Sequence, residues 1–305
     1  MRVVFMGNHT VGVRTLNALR QSCDVTGVIA HPEDAEDGVR YESVYDFANE
    51  QGLTVERLQP TDERFQAFVR QANPDLIWLT DYRYIIPKQT LEIPRHGTVN
   101  LHPSLLPEYR GRAPLNWAII NGESRLGLTA HFVSEAIDAG DIIAQRSFEL
   151  TPDEDVGNAL EKLYPMYADI AAQVLDDFNR NVIKRTPQPS GDHKVYPRRR
   201  PEDGWIDWRE SARNICNLVR GVARPYPGAF GFVGERRVTI WKCAVEERDS
   251  DASAGTIVDI GSDGSIRIAC GGGTFIALDY SMDHAHELEV ADRFELEHRT
   301  TASVG

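Results

Sequence analysis

Two polar side chains, Asn100 and His102, stand two positions apart at the end of an apolar strand segment, and Pro103 follows them directly. On an extended chain, residues two apart point to the same side, so an amide and an imidazole face one cavity. Proline removes a backbone donor and ends the strand there. Further along, Asp138 lies in a tight turn predicted between two strands. This carboxylate is therefore placed to reach the same cavity.

These residue types suit the passage of an acyl group between two nitrogens. An attacking amine creates a tetrahedral intermediate, whose oxyanion an Asn amide and an imidazole N–H stabilise. A His–carboxylate pair such as His102 and Asp138 carries the proton away. Since no serine or cysteine stands in a nucleophile-elbow context, direct transfer is favoured over a covalent intermediate. An isolated Asn-x-His is also typical of a hydrogen-bonded strand end, and Ser104 of a loop-capping hydroxyl, so residue types alone leave both interpretations open.

Strand and helix patterns alternate through the first half of the chain, which predicts an α/β fold with a doubly wound, mostly parallel sheet. Ligands of such sheets gather at the carboxyl ends of the strands. Asp81–Ile86 and Asn100–His102 both occupy such ends. The turn after the first strand, Gly7–Gly12, lacks the dinucleotide fingerprint, so Asn8, His9 and Thr10 are either anion-binding or a plain helix start.

After a long amphipathic helix the composition changes. Residues 185–204 are rich in proline and contain a basic run, which predicts a linker between domains. Five short strands separated by glycine turns follow, and they predict a small OB-like β-barrel. We therefore expect a catalytic domain over 1–184, a linker over 185–204, an OB-like domain over 205–285, and a charged, peripheral tail over 286–305.

Composition narrows the function classes. The formal net charge is −13, which argues against binding to nucleic acid or to an anionic membrane, because phosphate binding needs clustered Lys and Arg. The four cysteines lie far apart without a C-x-x-C pair, so we expect buried thiols rather than a metal site or disulfides. The apolar run at the N-terminus is too short for a secretory signal or a membrane span, which predicts a cytoplasmic protein.

The string from Asn100 to Pro114, continued by Trp117, Asn121–Glu123, Gly127, Thr129, His131 and Asp138–Ile142, resembles the signature of formyltetrahydrofolate-dependent formyltransferases. The resemblance implies a Rossmann-like formyltransferase domain followed by a C-terminal barrel. It implies N10-formyltetrahydrofolate as co-substrate, no metal, and Asn100, His102 and Asp138 as the catalytic trio. It also implies a folate pocket built from two segments, with the residues Tyr82, Arg83, Tyr84, Ile85, Ile86, Glu135, Ile137 and Asp138.

The formylated amine is the open question. Methionyl-tRNA formyltransferases carry a basic insertion after the second strand, whereas this chain has the acidic Glu33–Asp37 there. The sequences of Arg110–Trp117, Arg199–Asp203 and Val222–Phe230 are more similar to those of sugar-nucleotide N-formyltransferases. They look closest to the formyltransferase half of the polymyxin-resistance enzyme that acts on UDP-4-amino-4-deoxy-L-arabinose. The expected acceptor is a nucleotide-linked amino sugar, and the enzyme a possible homodimer.

A pyrophosphate needs positive charge and hydrogen-bond donors around it. The substrate-side candidates are Asn8, His9, Thr10, Tyr41, Ser104, Arg110 and Arg112, and for Arg112 a structural bridge between loop and carboxylate is the alternative. Three rival functions stay open: tRNA formylation, hydrolysis of formyltetrahydrofolate, and a folate or nucleotide-sugar binding module that has lost its chemistry. The intact trio argues against the last.

Overall fold

The structure is a computed structural model and describes residues 1–31, 41–248, 250–283 and 288–298. The chain forms two compact units. The first comprises Met1–Pro114, Arg125–Glu149 and Leu160–Pro197, and the second comprises Leu115–Ser124, Leu150–Ala159 and Arg198–Gly305. The second unit is therefore assembled from three separate stretches of sequence.

The strands of the first unit are β1 (Arg2–Gly7), β2 (Asp24–Ala30), β3 (Val55–Arg57), β4 (Leu76–Thr80), β5 (Thr98–His102), β6 (Arg110–Gly111), β7 (Arg125–Phe132), β8 (Ile142–Glu149) and β9 (Val195–Tyr196). Its helices are α1 (His9–Ser22), α2 (Val44–Glu50), α3 (Glu63–Ala72) and α4 (Lys88–Leu91). Two further helices, α5 (Pro114–Ile120) and α6 (Val156–Asn179), contain residues of both units.

Seven strands form one sheet in the order β3-β2-β1-β4-β5-β7-β8. The pairs from β3 to β5 are parallel, whereas β5–β7 and β7–β8 are antiparallel. The predicted mostly parallel α/β sheet is confirmed. The chain winds to one side from β1 and to the other from β4, so the crevice beyond their carboxyl ends is the topological switch point where such sheets bind ligands.

Burial explains why the inner strands need no alternating pattern. All five residues of β4 are buried, as are Val3 to Gly7 of β1, because both faces of a parallel sheet are covered. One side of these strands joins a cluster that includes Phe65 and Val69 of α3. This rigid centre ends at Gly7 and Thr80, and the polar residues that follow begin at the same edge.

The segment Thr186–Tyr196, here called the strap, lies within the predicted linker but is paired with the first unit. Thr186 bridges Ile142, and β9 of the strap pairs in parallel with β6. The ring of Tyr196 stacks on that of Tyr109, with centroids 5.0 Å apart. Proline-rich composition therefore accompanies a segment that is hydrogen-bonded to the first unit at both of its ends.

The second unit contains a 3-10 turn at Pro201–Gly204, helix α7 (Ala212–Val222) and five strands: β10 (Ala229–Val233), β11 (Arg236–Glu246), β12 (Ile257–Ile260), β13 (Ile266–Ala269) and β14 (Thr274–Met282). The strands form one antiparallel sheet in the order β10-β11-β14-β13-β12. This confirms a C-terminal antiparallel sheet domain, while its closure into an OB-like barrel stays a prediction.

The expectation of a peripheral tail is wrong for the described residues 288–298. Phe294 is 1% exposed and packs on Trp208, with ring centroids 4.7 Å apart. The N–H of Phe294 also donates to the carbonyl of Gly255. The tail was predicted to be peripheral because most of its residues are charged or polar, but the aromatic side chain of Phe294 packs in the core of the second unit.

The prediction of buried thiols is wrong for two of the four cysteines, and the other two are free thiols of intermediate exposure. Cys216 on α7 and Cys243 on β11 form a disulfide, with their Cα atoms 5.9 Å apart. Their separation of 27 residues in the sequence gave no indication of this pairing. Cys23 and Cys270 are free, and burial raises the pKa of each thiol to about 12. These two thiols are therefore poor nucleophiles at neutral pH.

Candidate active site

Asn100 lies on β5 directly opposite His131 of β7. The Nδ2 of Asn100 is 3.1 Å from Nε2 of His131, whose Nδ1 lies 2.9 Å from the carbonyl oxygen of Phe132. A carbonyl only accepts, so Nδ1 carries the proton of a neutral ring and Nε2 accepts from the amide. The Asn100 amide is thereby oriented with its second N–H left for a ligand.

His131 stays neutral because it is buried. Burial lowers the pKa of His131 to about 4, against the opposing influence of the Asp138 carboxylate. The side chain is 2% exposed. At neutral pH the ring is therefore a hydrogen-bond acceptor for Asn100 and not a second positive charge.

His102 ends β5 on the same face as Asn100. Its Nε2 lies 2.8 Å from the carbonyl oxygen of Tyr109, so this nitrogen donates. Its Nδ1 lies 3.6 Å from Oδ2 of Asp138, and Oδ1 of the same carboxylate lies 3.6 Å from Nε2 of His131. Both groups are largely shielded, with His102 at 6% and Asp138 at 15% side-chain exposure. The imidazole and the carboxylate therefore face each other in a shielded environment.

Asp138 is held from two directions. Its backbone is left-handed, with φ of 49°, a conformation that aspartate tolerates better than most residues. The N–H of Gly111 donates to Oδ2 at 2.9 Å. The amide Nε2 of Gln188 donates to the carbonyls of Asp138 and Gly140, each at 2.8 Å. The turn is thus fixed through its carboxylate by β6 and through its main chain by the strap.

The two segments expected to bind folate lie close together. Lys88 of α4 pairs with Glu135 at 2.7 Å, joining the end of the Asp81–Ile86 segment to the turn before Asp138. Each segment also presents a large exposed apolar side chain, Ile85 at 81% and Ile137 at 50% exposure. Exposed aliphatic side chains on two linked segments suit the face of a flat aromatic ligand.

His9 and Asp81 face each other at the switch point, at the ends of β1 and β4. Their side chains are 2.6 Å apart, and both backbones are left-handed. The ring of Tyr41 stacks on His9 at a centroid distance of 3.9 Å. The hydroxyl of Thr10 accepts from the N–H of Glu42. Asn8 precedes α1 as its N-cap without a side-chain cap bond. Four predicted substrate-side residues, Asn8, His9, Thr10 and Tyr41, are therefore grouped beside the ends of β1 and β4.

His31 follows β2 directly, at the same edge of the sheet. Its Nε2 accepts from the N–H of Arg83, and its ring lies against those of Tyr82 and Tyr84. Burial, with the positive charges of Arg83 and Arg112 adding to it, lowers the pKa of His31 to about 3. The ring is neutral, and two cationic side chains act on the same point.

The remaining predicted substrate residues belong to the loop between β5 and α5. The buried hydroxyl of Ser104 donates to the carbonyl of Glu108 at 2.7 Å, as expected of a loop-fixing group. Arg110 donates through Nε and Nη2 to the Oε1 of Gln188. The side chain of Arg112 is exposed, and its backbone N–H donates to the carbonyl of Tyr196.

The sequence patterns predicted neither Gln188 nor the contact between His131 and Asn100. His131 was visible only as one position in the signature string, and its pairing with Asn100 depends on strand register. Gln188 stands in a proline-rich stretch whose composition carries no sign of long-range hydrogen bonds. No group of three or more His, Cys, Asp or Glu residues suited to a metal ion is found within the described ranges. Nor does any helix in the described parts of the chain have the length and apolarity to cross a membrane.

Comparison with known proteins identifies the family of both parts of the chain. The formyl transferase family model matches residues 1–175, and the formyl transferase C-terminal domain model matches residues 199–295. The chain belongs to the formyl transferase family. It is an enzyme that transfers a formyl group from a folate-type donor.

The chain is similar to two curated methionyl-tRNA formyltransferases in sequence and to a solved N-formyltransferase in fold. The methionyl-tRNA formyltransferase of Acetivibrio thermocellus is 33% identical over 300 residues, covering 96% of this chain and 95% of that protein. That of Citrifermentans bemidjiense is 34% identical over 300 residues, covering 96% and 92%. Among solved structures, the N-formyltransferase from Helicobacter canadensis in complex with folinic acid and dTDP-3-aminofucose has a TM-score of 0.67 at 16% identity, covering 90% of this chain and 98% of that one.

Proposed function

We propose that this chain moves a formyl group from N10-formyltetrahydrofolate to the amine of a nucleotide-linked amino sugar, by direct attack through a tetrahedral intermediate. One observation carries the chemical part. The Asp138 carboxylate lies 3.6 Å from both His102 Nδ1 and His131 Nε2, while the Asn100 amide bonds to the same His131. An oxyanion donor and a proton-sharing pair are therefore gathered at one point.

In the proposed reaction the acceptor nitrogen attacks the formyl carbon. The carbonyl oxygen becomes an oxyanion and accepts from the second amide N–H of Asn100. The bond between the formyl carbon and N10 then breaks, and its electron pair stays on N10. His102 and Asp138 take the proton from the attacking nitrogen and return it to N10, so the enzyme ends unchanged.

Charge supports a small anionic acceptor over an RNA. The chain has a net charge of −13, and Glu33–Asp37 places acidic residues where the resemblance expects a basic loop in tRNA enzymes. That segment lies outside the described residues. The Arg83 and Arg112 guanidinium groups both act on His31 at the switch point, where the Asp81 carboxylate opposes them. Two local cations suit a diphosphate, whereas binding a phosphate backbone needs an extended basic surface.

Formylation of methionyl-tRNA is the second candidate. It is favoured by the relatives at 33% and 34% identity, which match almost the whole chain. Both candidates use the same catalytic trio and donor. They differ in what the crevice beside the trio must hold.

Turnover with a panel of acceptors separates the candidates. Purified enzyme with N10-formyltetrahydrofolate would be given UDP-4-amino-4-deoxy-L-arabinose, dTDP- and UDP-linked amino-dideoxyhexoses, or methionyl-tRNA, and tetrahydrofolate release would be followed by absorbance. We expect turnover with at least one nucleotide sugar and none with tRNA. Turnover with tRNA alone would replace the sugar proposal, and formate release without any amine would identify a hydrolase.

The catalytic role of Asp138 is tested by Asp138→Asn. We expect the variant to fold normally and to lose at least about a hundredfold in kcat, because the amide cannot share a proton with His102. Asp169→Asn, on an exposed carboxylate of α6 that pairs with Arg146, is the matched control and keeps full activity. Near-normal turnover by Asp138→Asn would contradict the assigned role.

A further inference from the structure

Gln188 of the strap uses every hydrogen-bonding position of its side chain. Its two amide hydrogens go to the carbonyls of Asp138 and Gly140. Its oxygen accepts two N–H groups of Arg110, at 3.2 Å and 2.6 Å. Guanidinium groups only donate and carbonyls only accept, so this orientation of the amide is the one that satisfies all four bonds.

The carbonyls that Gln188 holds flank the turn that presents the Asp138 carboxylate. On the other side of the turn, Gly111 donates to Oδ2 of Asp138 at 2.9 Å. Arg110 and Gly111 are consecutive, so one loop segment binds the carboxylate directly and the main chain of the turn through Gln188. The left-handed backbone of Asp138 is a conformation that surrounding contacts must maintain.

We propose that Gln188 is a positioning residue for formyl transfer: it holds the Asp138 turn so that the carboxylate faces His102, and Arg110 holds Gln188. Arg110 then holds Gln188 in place within the protein. The sequence had predicted it instead as a ligand for the acceptor's phosphates. The inference rests on the proposed catalytic role of Asp138. A displacement of about 1 Å at a catalytic group can lower a rate about a hundredfold, so loss of this brace affects kcat first.

The decisive variant is Gln188→Glu. The carboxylate has nearly the same shape and strengthens the bond to Arg110, but it donates no hydrogen and turns an anion toward two carbonyl oxygens. Gln173→Glu is a matched control, because Gln173 lies on the exposed face of α6 and also accepts from an arginine, Arg146, at 2.8 Å.

We expect Gln188→Glu to lower kcat at least tenfold, with KM for formyltetrahydrofolate within about twofold of wild type and Tm within a few degrees. Gln173→Glu should change none of the three. The effects of Gln188→Glu and Asp138→Asn on kcat should not multiply. Adding Gln188→Glu to the Asp138→Asn variant should lower its kcat by less than about twofold. Such non-additivity marks residues that act as one unit.

A merely structural role would give another pattern. If Gln188→Glu keeps kcat within twofold, or lowers it by the same factor with Asp138 and with Asn at position 138, the positioning role is overturned. If Gln188→Glu loses both Tm and activity, the next variant is Arg110→Met, which keeps both amide hydrogens of Gln188. Full activity of Arg110→Met would overturn the role assigned to Arg110. A several-fold fall in its kcat at unchanged Tm would support that role. The assay uses whichever acceptor the wild type formylates, so this test does not depend on the acceptor proposed above.

An active Asp138→Asn variant would disprove the catalytic role of Asp138, which is a different outcome from the failure of the positioning role of Gln188.

Discussion

At the scale of single residues, the protonation of one buried ring decides what Asn100 can do. His131 donates from Nδ1 to the carbonyl of Phe132, and burial keeps the ring neutral, so Nε2 must accept. This arrangement fixes which end of the Asn100 side chain is the amide and which is the oxygen. The Asn100 amide, the proposed oxyanion donor, is therefore oriented before any substrate binds.

Asn100→Asp tests that orientation. The new side chain has the same shape but only accepts, and it adds negative charge beside Asp138, so both oxyanion stabilisation and the bond to His131 are lost. We expect kcat to fall about 10²- to 10³-fold, as for other single oxyanion donors. Steady-state kinetics would measure it.

Asn17→Asp makes the same chemical change on α1, where the side chain accepts from Arg20 in an exposed pair. Its kinetics should match the wild type. An Asn100→Asp enzyme within threefold of wild-type kcat would show that the oxyanion is stabilised elsewhere.

Sequence predicted the trio because its members follow strand ends and because the signature string is long. It could not predict His131 as the partner of Asn100, since that contact is set by the register between β5 and β7, and register is a tertiary property. Nor could it show that Asp138 bonds to the N–H of Gly111, because a backbone donor has no sequence signature.

At the scale of elements, the two-residue strands β6 and β9 connect the strap to the Asp138 turn. Gly111 has φ of 98°, and a Cβ there would collide with the carbonyl oxygen of Tyr196. Glycine is required at this position for both conformation and space. The alternation of strands and helices was predictable from periodicity, whereas this pairing was not, because two residues are too few to show a period.

Gly111→Ala should separate β6 from β9. We expect the free energy of unfolding to fall by about 2–4 kcal/mol, from backbone strain plus overpacking, and kcat to fall at least tenfold because the Gly111 N–H moves away from Asp138. Urea denaturation and kinetics would measure the two effects.

Gly264→Ala is the matched control, since Gly264 has φ of 82° with no atom within 4 Å of an added Cβ. It should cost only about 1 kcal/mol of strain and leave kcat unchanged. Equal stability losses in the two variants would contradict a steric role for the Tyr196 carbonyl.

At the scale of the whole molecule, two buried neutral histidines link stability to pH. Burial lowers the pKa of His131 to about 4 and that of His31 to about 3, below the unfolded value near 6.5. Between these limits the unfolded chain binds more protons than the folded one, so stability rises with pH. The contributions of His131 and His31 to the free energy of unfolding are fully present above about pH 6.5 and are lost as the pH falls.

We therefore expect the free energy of unfolding to decrease by about 1 kcal/mol per histidine for each pH unit below 6, measured by urea denaturation between pH 5 and pH 7. This window lies above the range where carboxylates titrate. His31→Gln removes one of the two groups and should reduce the slope by about half. A flat profile in the wild type over this window would show that these rings are protonated in the folded protein.

The division into units was only partly predictable. Composition located the change near residue 200, but the second unit also contains Leu115–Ser124 and Leu150–Ala159. Asn116 donates to the carbonyl of Gly221, and Arg220 donates to those of Glu154 and Thr151, within that unit. Such contacts join stretches far apart in sequence, and local patterns carry no record of them.

The strap also sets an order of events during synthesis. Gln188 stands 50 positions after the turn it holds. A ribosome that has completed Asn100, His102 and Asp138 has not yet made the side chain that braces them, and Tyr196 comes later still. The nascent chain therefore carries Asn100, His102 and Asp138 for several seconds, at ordinary elongation rates of about 5–20 residues per second, before it acquires the contacts that hold the Asp138 turn.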